Sequence, residues 1–174
     1  MLDREVTVET CRKLIASDKL AQFVREFLYA AFADSANFKT FCRICLPHAF
    51  TKDFGKFHLE IADDFMSPGD SVVAAPRGHG KSTLIGLGYV LWVIMYAKEK
   101  YIVYTSMNHE KSVQFLEPIT AEIRNNKLLH FIYGKDVIKK VSDEDNKGRD
   151  REDCFDYRGI RIQALSFEKN IRGL

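Results

Sequence analysis

The chain has 174 residues, 46% of them hydrophobic, enough to bury one sizeable core and too few for two comfortable domains. Its 26 Lys and Arg against 24 Asp and Glu leave +2, so composition predicts no polybasic DNA clamp, and 4 Pro with 10 Gly exclude a collagen-like or disordered chain. Four cysteines (Cys11, Cys42, Cys45 and Cys154) and an opening on Asp3, Arg4 and Glu5 instead of an apolar leader predict reduced thiols in a cytoplasm.

Apolar residues recur at helical spacing through Phe23, Phe27, Leu28 and Ala31, then through Phe38, Phe41, Cys42 and Cys45, with Asp18 and Ser35 as expected N-caps. Pro47 ends this helical run, because the residues approaching a proline are pushed out of the helical region. The spacing Cys42-x-x-Cys45-x-x-His48 offers two thiols and an imidazole without a paired second half. Both cysteines also fit the buried face of a helix, which is the preferred reading.

A further helix is expected from Lys56 to Met66, then a turn at Ser67-Pro68-Gly69-Asp70 and a short apolar strand at Ser71-Val72-Val73-Ala74-Ala75. Residues 81–97 read as a long apolar helix, Tyr101 to Thr105 as a second buried strand, and His109 to Asn125 as an amphipathic helix. The apolar stretch from Leu84 to Ala97 has 14 residues, short of the ~18 to 20 that cross a bilayer. This alternation of strand and helix predicts a parallel α/β sheet.

From Lys139 to Asp153, five basic and six acidic residues make up most of the stretch, which reads as a solvated charged loop. Beyond it, Cys154 to Tyr157 and Ile160 to Ala164 flank Arg158-Gly159, the pattern of a two-stranded hairpin.

The chemistry concentrates at Ala75-Pro76-Arg77-Gly78-His79-Gly80-Lys81-Ser82, a relaxed Walker A pattern between an expected strand and an expected helix. Glycines at 78 and 80 let the backbone curl so that successive N–H groups point at phosphate oxygens. The helix N-terminus adds partial positive charge. Lys81 is placed to reach the β and γ phosphates, and the Ser82 hydroxyl to complete the coordination of a Mg²⁺ that keeps most of its waters. Thr83 lies beside them, as packing or a further phosphate contact. Arg77 either stabilises charge at the γ-phosphate or lies in solvent. The His79 ring occupies a position that tolerates most side chains.

Together with Phe54-Gly55-Lys56-Phe57-His58-Leu59-Glu60 upstream, the segment Tyr101 to Asn126, and Ile171-Arg172-Gly173, this loop resembles the large terminase subunit of tailed bacteriophages, the ATPase that drives DNA into an empty capsid. The resemblance covers residues 54 to 174, and only its Walker A part is specific by itself. It implies a P-loop NTPase of the ASCE type, with an incomplete parallel sheet in residues 54–174 behind a helical lead-in over 1–53. In that reading Pro76, Gly78, His79, Gly80, Lys81, Ser82 and Thr83 hold ATP and its Mg²⁺, and Arg77 is the in-cis arginine at the γ-phosphate. Phe54, Phe57 and His58 are similar to the adenine-side motif, although Phe57 also stands at core spacing from Ile61 and Phe65. Arg172 resembles a residue that links nucleotide state to DNA movement. Implied partners are double-stranded DNA, a portal, a small terminase subunit and further copies in a ring, in the host cell cytoplasm and away from membranes.

The family continues from the Arg-Gly step into a Walker B strand ending in acids, and then into a nuclease domain. No segment here supplies those acids, so an N-terminal fragment with weak turnover is expected. The resemblance also places the Walker B strand between the two expected strands, so the sheet should lack its centre. Alternatives are a catalytically silent, nucleotide-gated assembly module and a small-molecule kinase. A GTPase is disfavoured, because in Asn146-Lys147-Gly148-Arg149-Asp150 the Asp falls one residue late for a guanine-reading motif.

Overall fold

A computed structural model describes residues 21–142 and 150–167. The expected N-cap Asp18, Cys11 and the Ile171-Arg172-Gly173 step lie outside the described residues. The described chain is mixed α/β and divides into two compact units, one comprising residues 21–74 with Phe131–Gly134, the other 75–130 with the described residues from Lys135 onward.

The first unit is helical. Helix α1 (Ala21–Ala33) buries Val24, Leu28 and Phe32, one stripe at four-residue spacing. Phe23 and Phe27, read from the sequence as part of that stripe, are 68% and 49% exposed and stack on each other instead. The buried face is therefore rotated by one residue from the expected one. A single turn of tighter helix (Ser35–Asn37) follows, and its cap is Asp34, not Ser35: the Asp34 carboxylate accepts from the Ala36 N–H at 3.0 Å.

Helix α2 (Phe38–Cys45) buries Phe38, Phe41, Cys42, Ile44 and Cys45, and ends one residue before Leu46-Pro47, where the proline stops it. Phe41 is the hub, with Phe32 edge-on at 5.8 Å and Tyr133 at 6.5 Å. Cys42 and Cys45 are core residues, and burial pushes the Cys42 thiol well above its ordinary range. Among the described residues no group of three or more His, Cys, Asp or Glu side chains is assembled that could hold a metal ion. Helix α3 (Lys56–Met66) has the bounds its periodicity predicts.

The second unit is built on a sheet. Residues 81–95 form a continuous helix, α4, whose middle, Leu84–Tyr89, is wound as π-helix between two α-helical ends, Lys81–Thr83 and Val90–Met95. Every residue from Val90 to Met95 is buried, as expected of a helix apolar on all sides. Strand β1 (Tyr101–Ser106) leads into helix α5 (His109–Asn125), capped by Asn108, whose side chain accepts from the Glu110 N–H at 2.8 Å. A short helix, α6 (Lys127–Tyr133), whose last residues from Phe131 belong to the helical unit, precedes strands β2 (Lys139–Ser142), β3 (Asp150–Tyr157) and β4 (Ile160–Ser166).

The strand order is β1-β4-β3-β2. Only β1 and β4 run parallel; β3 is antiparallel to β4 and to β2. The sheet is thus mixed, where strand–helix alternation predicted a parallel one. The cause is local: Arg158-Gly159 forms a tight turn that folds β3 back onto β4, and a two-residue turn can join only antiparallel neighbours. The charged stretch from Lys139 to Asp153 is also more ordered than a solvated loop, since both its ends are strands; residues 143–149 lie outside the described residues. On β4, Ile160, Ile162, Ala164 and Ser166 alternate inward. Tyr104 of β1, level with Ala164, stacks on Phe115 of α5, so α5 covers that same face. No helix among the described residues is long and apolar enough to cross a membrane.

Candidate phosphate-binding loop

Residues 71–76, expected to contain a strand, have no regular secondary structure, and the sheet includes none of them. An apolar run becomes a strand only when a neighbouring strand takes up its hydrogen bonds, and among the described residues no strand pairs with this segment.

Beyond that segment the chain curls. Gly78 has φ +82° and Gly80 φ +70°, conformations in which a side chain would strain the backbone. Gly80 is the residue before α4, and its carbonyl accepts the Leu84 N–H at 2.8 Å, which closes the first helical turn. Residues 77–83 line a hollow of about 260 Å³. The ammonium of Lys81 folds back across the loop and donates to the carbonyls of Ala75 at 2.8 Å and Pro76 at 3.1 Å. These bonds tie the two ends of the curl together through one side chain.

Arg77, Gly78, His79, Gly80 and Ser82 are exposed, and Lys81 and Thr83 are half-buried. A His79 ring nitrogen lies 3.1 Å from the Arg77 carbonyl, which turns the ring toward its own backbone. Arg77, Lys81, Ser82 and Thr83 stand around one hollow. Among the described residues no carboxylate lines it.

Phe54, Phe57 and His58 belong to the other compact unit, where they form an aromatic cluster. The His58 ring lies 3.8 Å from that of Phe57 and is edge-on to Phe54 at 5.8 Å. Its Nδ1 accepts the Gly55 N–H at 3.0 Å, so the imidazole caps the start of α3. Phe54 stacks on Phe50 at 5.4 Å and lies under the Lys39 ammonium.

One residue that holds the helix behind the loop was not picked out by sequence reasoning. The Tyr104 hydroxyl on β1 donates to the carbonyl of Gly86, inside the π-helical segment that follows the loop. Burial pushes the Tyr104 phenol well above its ordinary range, so it stays a neutral donor. The available signal was a tyrosine in an apolar strand opposite a helix carrying Gly86 and Gly88.

No family model matches this chain, and neither a search of the curated proteins nor one of the solved structures finds a match.

Proposed function

We propose that residues 75–83 bind the phosphate tail of ATP, and that the chain is the nucleotide-binding part of a P-loop ATPase of the large-terminase type. In such a motor ATP hydrolysis drives double-stranded DNA into a procapsid, with a portal, a small terminase subunit and further copies of the chain as partners. The observation that carries this reading is the curl itself: two glycines at positive φ open a helix whose first residue, Lys81, lines the same hollow and spans the loop with its ammonium.

A hollow of about 260 Å³ suits a phosphate tail and not a whole nucleotide, so base and ribose lie beyond it. Loop N–H groups and the start of α4 supply donors and partial positive charge for the phosphate oxygens. Lys81 exchanges its two carbonyl partners for phosphate oxygens, which are stronger acceptors of a charged donor. The exposed Ser82 hydroxyl, at the first turn of α4, suits a hard cation that prefers oxygen ligands. Mg²⁺ held there between Ser82 and the phosphates would neutralise charge on the β and γ oxygens. Arg77, on the rim of the hollow, is the residue we assign to the γ-phosphate.

A second reading, a nucleotide-gated assembly module without turnover, is favoured by a hollow that no carboxylate lines among the described residues, since hydrolysis needs an acid to orient the attacking water. One experiment separates the two. Titration with a fluorescent ATP analogue and Mg²⁺, beside a phosphate-release assay, should show binding that adenosine does not compete and that Lys81→Ala weakens by about tenfold or more. Binding without release favours the assembly module. Equal affinity of wild type and Lys81→Ala, or equal competition by adenosine, would refute both.

A further inference from the structure

The middle of α4 departs from α-helical bonding at one carbonyl. In an α-helix the Val90 N–H would donate to the Gly86 carbonyl, four residues back. Here it donates to the carbonyls of Ile85, five back, and Leu87, three back. The Gly86 carbonyl accepts the hydroxyl of Tyr104 from β1. With the hydroxyl on that carbonyl the turn closes over five residues; with the Val90 amide on it the turn closes over four.

The register of that turn fixes where the residues ahead of it point. A π turn holds one residue more than an α turn. Rewinding Leu84–Tyr89 as α-helix, with the buried Val90–Met95 end held in place, would therefore rotate Lys81, Ser82 and Thr83 by about one residue, ~100° about the axis, and shift them by ~1.5 Å along it. These three residues line the phosphate hollow. Leu84, the first π residue, follows Thr83 directly, so nothing lies between the loop's helical turn and the wide one to absorb the rotation.

Two further features belong to the same turn. Gly86 and Gly88 put two poor helix formers among its six residues, which lowers the cost of leaving α-helical bonding there. Tyr104 is held from the other side by Phe115 of α5, on which its ring stacks, and a Cβ on Gly86 would lie 3.9 Å from each of the two rings. Gly86 thus lies beside both rings, within reach of a hydroxyl whose ring is fixed in place.

We infer that Tyr104 is a positioning residue for the phosphate loop: its hydroxyl holds α4 in the π register, and that register turns Lys81, Ser82 and Thr83 toward the bound phosphates. The inference rests on the nucleotide reading of the loop and adds to it a register switch behind the site. A ligand that touches those three side chains binds the two registers unequally, so occupancy of the loop and the Tyr104 bond strengthen one another. Apparent affinity then follows the fraction of molecules in the competent register.

The test measures binding of the fluorescent ATP analogue with Mg²⁺ to wild type, Tyr104→Phe, Lys81→Ala, and a Tyr104→Phe chain that also lacks Gly88. Tyr104→Phe should bind about three- to tenfold more weakly, with the same signal at saturation. Deleting Gly88 removes the extra residue, so an α-helical turn then presents Lys81, Ser82 and Thr83 as the π turn does, and wild-type affinity should return, which the loss of a merely stabilising bond would not produce. In ¹⁵N,¹³C-labelled protein, scalar coupling across the hydrogen bond should connect the Val90 nitrogen to the Ile85 carbonyl in wild type and to the Gly86 carbonyl in Tyr104→Phe, and saturating analogue should restore the Ile85 connection. That measurement needs no deletion and decides by itself: an unchanged Val90 coupling in Tyr104→Phe overturns the inference. A folded deletion chain that binds no better than Tyr104→Phe overturns it too. Equal affinity of wild type and Tyr104→Phe, beside weaker binding by Lys81→Ala, overturns it while the nucleotide reading stands, whereas equal affinity of wild type and Lys81→Ala removes both.

Discussion

The hydroxyl of Tyr104 on β1 donates to the main-chain carbonyl of Gly86, joining the sheet to the π-helical middle of α4. The Tyr104 ring is itself clamped, stacked on Phe115 of α5 at 5.7 Å. α4 begins at Lys81, so the bond holds the helix that the phosphate loop opens. Tyr104→Phe keeps the stacking and removes the donor from a carbonyl in a partly buried place. The expected loss is about 1–3 kcal/mol in chemical denaturation. The same variant should bind the ATP analogue more weakly than wild type at a temperature where both are folded. Unchanged binding would mean that Tyr104 serves stability alone.

Gly78 supplies a test of the curl without a steric complication. A Cβ at this position would meet nothing within 4 Å, so Gly78→Ala carries only the backbone penalty of a left-handed alanine. That penalty is about 1–2 kcal/mol. Thermal denaturation should register it, and analogue binding should fall as the loop relaxes toward negative φ. An alanine variant with wild-type stability and binding would show that this curl does not matter.

The Asp156–Arg161 pair predicts acid sensitivity. The hydrogen bond from Arg161 is the main reason the Asp156 carboxyl lies below its ordinary range, and the charges of Arg161 and Lys139 act in the same direction. A depressed native pKa stabilises the fold above the ordinary carboxylate value, and that contribution disappears as pH falls through the native one. Asp156→Asn should therefore melt below wild type near neutrality, and the two melting curves should converge in acid. Because Arg161 is exposed, solvent and salt screen the pair, and the gap should be small and shrink at high ionic strength.

Pro118 lies within α5 and is solvent-exposed. Without an N–H it cannot bond the carbonyl of Gln114, and its ring crowds that turn. Pro118→Ala should stabilise the protein, by up to about 3 kcal/mol, read by the denaturation midpoint. A destabilised variant would mean that the helix needs the bend.

Helical periodicity made Lys56–Met66 and His109–Asn125 legible to the residue, because an amphipathic stripe is a local property of the chain. The glycines of the loop were legible for a similar reason: a curl with positive φ requires them whatever surrounds it. Pairing is different. Ser71 to Ala75 looks like a strand, but strand formation depends on a neighbour that composition does not specify. Strand direction was legible at one place, where Arg158-Gly159 marks Cys154 to Tyr157 and Ile160 to Ala164 as a hairpin; elsewhere parallel and antiparallel strands look alike as apolar runs.

The concealed thiols give the molecule a built-in reporter. Cys42 and Cys45 are sealed in the helical unit and Cys154 in the sheet unit, and only an ionised, accessible sulfur reacts quickly with an alkylating reagent. In a Cys11→Ser background, the moment at which each sulfur becomes modifiable timestamps the opening of its own half. Mass-spectrometric labelling can thus follow two breathing motions in one polypeptide without any added probe.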